Sequence, residues 1–112
     1  MKSLTELKTE INEILTLQME KMKKRDYKKA VRRLEFLKVC LRYIESGATE
    51  EFVNKEIERL TNRINAFREN YDTWLKFTDT DSIKGNKMTF YDREMGVPKL
   101  RKQISSLRFI LK

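Results

Sequence analysis

Apolar positions recur at helical spacing along almost the whole chain. Leu4, Leu7, Ile11, Ile14, Leu15 and Met22 form a narrow stripe, opened by Ser3 with Glu6 three residues on, the reciprocal capping pattern of a helix start. A first helix is therefore expected over 4–24. Its phase misses the next stripe by roughly a third of a turn, which predicts a break at Lys24-Arg25-Asp26 with Asp26 as N-cap. No Gly or Pro intervenes, so one continuous helix through residues 20–28, and with it an extended dimeric rod, is the alternative. A second helix over 27–46 ends at Gly47, suited to the left-handed conformation past a helix end. Thr49, followed by Glu50 and Glu51, caps a third helix over 50–77. On it Val53, Ile57, Leu60, Ile64, Phe67, Tyr71 and Trp74 step by four and three without a miss, a coiled-coil-like seam. The stretch 78–88 is polar and reads as a loop. Thr89 with Asp92 predicts a single turn over Phe90–Met95, and Pro98 fits the first turn of a last helix over 98–111, with Val97, Leu100, Ile104, Leu107 and Leu111 on one stripe.

The second helix differs from the others because it carries two apolar faces. At about 100° per residue, Tyr27, Ala30, Val31, Leu34, Leu37, Leu41 and Ile44 fall on one side. Phe36, Val39 and Tyr43 fall on the opposite side, interleaved with Lys29 and Arg32. A helix that only covers a core needs one stripe. This one is either sandwiched within its own fold, its aromatics meeting the first or the last helix, or it offers an aromatic, basic face to a partner. The local pattern Asp26-Tyr27-x-x-Ala30, then Leu34 and Leu37, resembles the second helix of αα-hairpins in tetratricopeptide-like proteins. It covers one hairpin and does not recur at that family's period, so it implies a hairpin between the first two helices and nothing more.

Composition agrees with an all-α chain. There are 3 Gly and 1 Pro in 112 residues, with 39% hydrophobic and 38% charged, the mixture of helical bundles and coiled coils. The expected architecture is a single domain, an antiparallel bundle of three long helices closed by a C-terminal helix. Its expected core is Leu7, Ile11, Ile14, Leu34, Leu37, Leu41, Val53, Ile57, Leu60, Ile64, Phe67, Trp74, Leu100, Ile104 and Leu107. The start of the chain alternates in charge where a leader would be apolar, and no apolar run has the length of a membrane span. With one cysteine, Cys40, which reads as a small buried hydrophobe, a cytoplasmic, intracellular protein is expected.

Charge is distributed in blocks. Residues 21–43 hold ten cations and two carboxylates, a net +8, and residues 83–112 hold eight and two, a net +6. Residues 1–20 and 44–82 are net acidic, at −2 and −4, giving the chain +8 overall. The absence of His removes the commonest general base and metal ligand. Asp79-x-Asp81 begins like a calcium loop, but the Gly is displaced and no Glu closes it. The isolated glycines build no phosphate loop. No enzyme, cofactor or metal is expected.

The function expected from these features is a non-catalytic helical interaction or assembly module within a larger complex. It would use Lys29, Arg32, Phe36, Val39 and Tyr43, with a protein partner or a second copy as occupant. Aromatics and Arg dominate interface energetics, and the Tyr71-Trp74-Phe77 end of the third helix offers further anchors. The alternative is a small basic nucleic-acid-binding subunit, contacting phosphates through Lys24, Arg25, Lys28, Arg32 and Arg33. A compact basic helical chain without an enzyme motif also fits an accessory factor of a phage or mobile element. Membrane-surface binding by the last helix, through Lys99, Arg101, Lys102 and Arg108, ranks last.

Overall fold

In the computed structural model, which describes residues 1–17 and 19–112, the chain is all-helical. The helices are α1 (Leu4–Leu15), α2 (Lys24–Glu45), α3 (Glu50–Glu69), α4 (Tyr71–Phe77), α5 (Lys87–Glu94) and α6 (Val97–Leu111), with a 3-10 turn at Met19–Lys21. Their starts follow local chemistry. The Ser3 hydroxyl accepts from the Glu6 N–H at 3.1 Å and the Thr49 hydroxyl from the Phe52 N–H at 3.1 Å, each satisfying a backbone donor that a helix start leaves free. Gly47, at φ 81°, ends the α2 corner as expected, and Pro98 sits in the first turn of α6.

Four expectations are corrected. The first helix stops at Leu15, well short of residue 24; within the expected stretch, Gln18 lies outside the described residues. The Thr16 hydroxyl turns back to the Glu13 carbonyl at 2.7 Å, and the Leu17 N–H reaches the Ile14 carbonyl in a tighter 3-10 bond. Side chains that bond locally to the backbone compete with helix continuation. Asp26 is not the N-cap of α2. Lys23 holds that position without a side-chain bond, and Asp26 stands in the first turn, where its charge suits the positive end of the helix dipole.

The third helix divides at Asn70. The Tyr91 hydroxyl donates to the Phe67 carbonyl, the acceptor that the Tyr71 N–H would take in an unbroken helix. The Asn70 N–H closes a shorter bond to the same carbonyl at 3.1 Å. A side chain inserted into the ladder is a recognised cause of such a jog. The last correction is α5, a full helix from Lys87 where the expectation was a loop to 88 and one turn. Asn86 caps it, with Oδ1 accepting from the Thr89 N–H at 3.0 Å.

The core runs through Leu7, Ile11, Leu37, Cys40, Val53, Leu60, Ile64, Val97, Ile104, Leu107 and Ile110. Ile14, Leu34, Leu41, Ile57, Phe67 and Leu100, also expected there, pack around it half-buried. Trp74 lies apart from this core, in an aromatic group with Tyr71, Phe90 and Tyr91, with ring centroids 5.0–6.2 Å from its own. That group seats α4 on α5. The α5 helix is held near α6 by Asp92, whose Oδ2 lies 4.0 Å from Arg101.

Helix α1 folds back on α2, where Arg33 pairs with Glu10 at 2.7 Å. Helix α6 meets the middle of α2 through Phe36 with Phe109 and Cys40 with Ser106. The Lys2 N–H donates to the Ile110 carbonyl at 2.7 Å, so α1 and α6 meet end to end over α2. The result is a flat molecule, 51 × 40 × 18 Å, with a radius of gyration of 18.0 Å. A compact chain of this length has about 13 Å. No helix among the described residues is long and apolar enough to cross a membrane.

Candidate functional site

The second apolar face of α2 looks onto α6, and the two helices do not close over it. The face of α6 that meets it carries Lys99, Lys102, Gln103 and Ser106, stepping by three and four, while Val97, Ile104, Leu107 and Ile110 point to the core. Polar and small residues opposite an apolar stripe leave space unfilled. The result is a groove of about 730 Å³, with Arg32, Glu35, Phe36, Val39, Arg42, Tyr43 and Ser46 as its other wall. At the floor the helices touch where the Cys40 thiol donates to the Ser106 carbonyl at 3.6 Å.

Three aromatic or aliphatic side chains make the apolar part, all of them half-buried. Phe36 and Tyr43 pack against the core, so the structural role considered for them holds in part. Val39 does not belong to that packed set. It is the purest groove residue of the three. Four cations, Arg32, Arg42, Lys99 and Lys102, stand around it against one carboxylate, Glu35, a net +3. None of the four stands in an ion pair with a described residue. Burial pushes the Tyr43 hydroxyl above its usual range, and Glu56 adds to the shift. The Cys40 thiol is likewise pushed up, chiefly by burial. Both therefore stay neutral at physiological pH, and the charge of the groove is that of its cations and Glu35.

One end of the groove is closed by a stacked cluster. Phe36 and Phe109 meet edge-on, centroids 5.4 Å apart. The Arg33 guanidinium lies 5.2 Å from the first ring and 4.8 Å from the second, while Lys2 Nζ lies 4.7 Å from Phe109. Arg33 also donates to the Glu10 carboxylate through Nη2 and Nε. Of the residues expected to bind phosphate, Arg33 is thus already paired with a carboxylate of α1, at an exposed position.

The remaining members of that set divide. Lys24, Arg25 and Lys28 are exposed at the start of α2, away from the groove, and Lys29 is exposed there too without lining it. Only Arg32 belongs to both the basic segment and the groove. The α1–α2 end also exposes Tyr27 at 45% and Leu15 at 56%. By contrast, the apolar stripe that would lay α6 on a membrane is buried.

Glu35, Arg42, Ser46, Gln103 and Ser106 line the groove without having been expected at any site, and Lys99 and Lys102 were expected only at a membrane surface. Arg42 was findable, three residues from Val39 on the same face. The α6 residues show helical spacing, but only their pairing with α2 makes them a wall. Compared with protein-family models, curated proteins and solved structures, the chain matches none.

Proposed function

We propose that this chain is a non-catalytic helical interaction module, and that the α2–α6 groove is its docking surface for an acidic, amphipathic protein segment. The observation that carries the reading is the groove itself, in which Phe36, Val39 and Tyr43 lie among four cations that form no ion pair with a described residue. The contacts Phe36–Phe109 and Cys40–Ser106 fall in register along α2 as they rise along α6, which supports an antiparallel pair of helices. A cleft between two such helices takes a third by its apolar stripe. Cations at the rim favour acidic flanks and speed the encounter at low salt. In this reading the chain works inside a larger assembly.

The test uses a labelled synthetic helix with a leucine stripe and glutamate flanks, followed by fluorescence anisotropy. Saturable binding is expected, weaker at high salt, and reduced at least about tenfold by Val39→Glu, equivalent to roughly 1.4 kcal/mol. Arg42→Glu with Lys102→Glu should have a similar effect. Equal binding of a lysine-flanked helix, or binding indifferent to these changes, would contradict the proposal.

A second reading, nucleic-acid binding, draws on the α1–α2 end, where exposed Tyr27 stands among Lys23, Lys24, Arg25 and Lys28. Exposed aromatics amid cations stack unpaired bases. It expects a salt-sensitive shift of single-stranded probes that Lys24→Glu with Lys28→Glu abolishes. No binding at low salt would sink it.

A further inference from the structure

Building on the docking reading, we infer that the occupant of the groove is a second copy of this chain, with the α4 end of one copy seated between α2 and α6 of the next. Phe77 closes α4 and is 85% exposed, far more than any other large apolar side chain among the described residues. Its exposure also shows that it does not occupy its own groove. A projecting aromatic of this kind has the size and shape of an interface anchor.

The charges around it complement the groove. Glu69, Asp72, Asp79 and Asp81 surround Phe77 in sequence with Lys76 as the one cation, a net −3, against +3 in the groove. The Asp79 carboxylate accepts from the Asp81 N–H at 3.1 Å, a local turn that follows α4. The projection is also prepared in advance. Tyr71 and Trp74 pack at a tilt against Tyr91, centroids 5.2 and 5.0 Å from its ring, holding α4 in place, so little ordering is lost on docking.

The chain also exposes more surface than a compact monomer of its mass. A compact monomer of 13.5 kDa exposes about 6,500 Å², whereas this chain exposes 8327 Å², roughly 1,800 Å² in excess. A projection and a groove on each copy are two different surfaces, and each side of a standard interface covers about 800 Å². Because the surfaces differ, the contact is heterologous, and every copy is satisfied only when the arrangement closes on itself.

Sedimentation velocity on the full chain, with the variants Phe77→Asp and Val39→Glu, tests this directly. The wild type is expected to sediment as an oligomer. Each variant alone should be monomeric with unchanged helicity by circular dichroism. Mixed in equal amounts they should form a one-to-one heterodimer, because the first keeps an intact groove and the second an intact projection. A monomeric wild type, variants that stay assembled, or a mixture that stays monomeric would each overturn the inference. A monomeric wild type that still binds the glutamate-flanked helix would leave the docking reading standing. One that binds neither would remove both.

Discussion

Tyr91 shows how one side chain shapes the chain far from its own position. It is 2% exposed and donates to the Phe67 carbonyl, 24 residues away. Burial pushes its hydroxyl above the ordinary value of 10.0, and the charge of Asp92 adds to this. The folded state thus holds the proton more tightly than the unfolded one. The associated stability is complete below pH 10 and is lost as pH rises through the folded value. Tyr91→Phe is expected to cost about 1 kcal/mol at neutral pH and to flatten the alkaline fall in urea stability. Tyr43, shifted the same way, keeps part of that fall. Leu7, Leu37 and Leu107, all fully buried, were legible from spacing alone, since an apolar stripe needs no knowledge of its partner. Met88, Tyr91 and Met95 also lie at helical spacing, a weaker signal within a polar stretch. The carbonyl that Tyr91 meets was not legible, because it is fixed only when α5 packs on α3.

At the scale of elements, local chemistry set most helix starts, and tertiary contacts set several ends. The capping residues Ser3 and Thr49 and the corner at Gly47 were readable because each acts within four residues. The division at Asn70 was not, because the seam from Val53 to Trp74 keeps its periodicity across it. The early stop at Leu15 follows from Thr16 bonding backward, which the stripe ending in Met22 concealed. Asn86 was passed over in favour of Thr89, although both are capping residue types. Asn86→Ala is expected to cost about 1 kcal/mol and to loosen α5 beneath α4. The centroids of Trp74 and Tyr91 are 5.0 Å apart, so Trp74 fluorescence should report that loosening as a red shift. An unchanged spectrum with unchanged stability would show that the cap contributes nothing to this packing.

The molecule as a whole lays α1 and α6 on α2 and α3 on α6, instead of gathering its helices round one axis. The α1 and α6 helices each cover part of α2 and meet only end to end, at Lys2 and Ile110, which gives the thin dimension of 18 Å. The two-faced character of α2 was plain in the sequence. Which neighbour faces its second stripe was not, because Lys99, Lys102 and Ser106 read as an ordinary solvated face until α6 is placed. Phe36 and Tyr43 serve both core and groove, whereas Val39 serves the groove alone. In the proposed function this groove is a surface held open for a partner, not a gap in the core. The most direct test is the urea midpoint of Val39→Glu in a Phe77→Asp background, compared with Phe77→Asp alone. An exposed groove predicts a change within about 0.5 kcal/mol, as for ordinary surface substitutions. A loss of about 3 kcal/mol or more, the penalty of a charge forced into a closed interior, would show the face to be core and contradict the account.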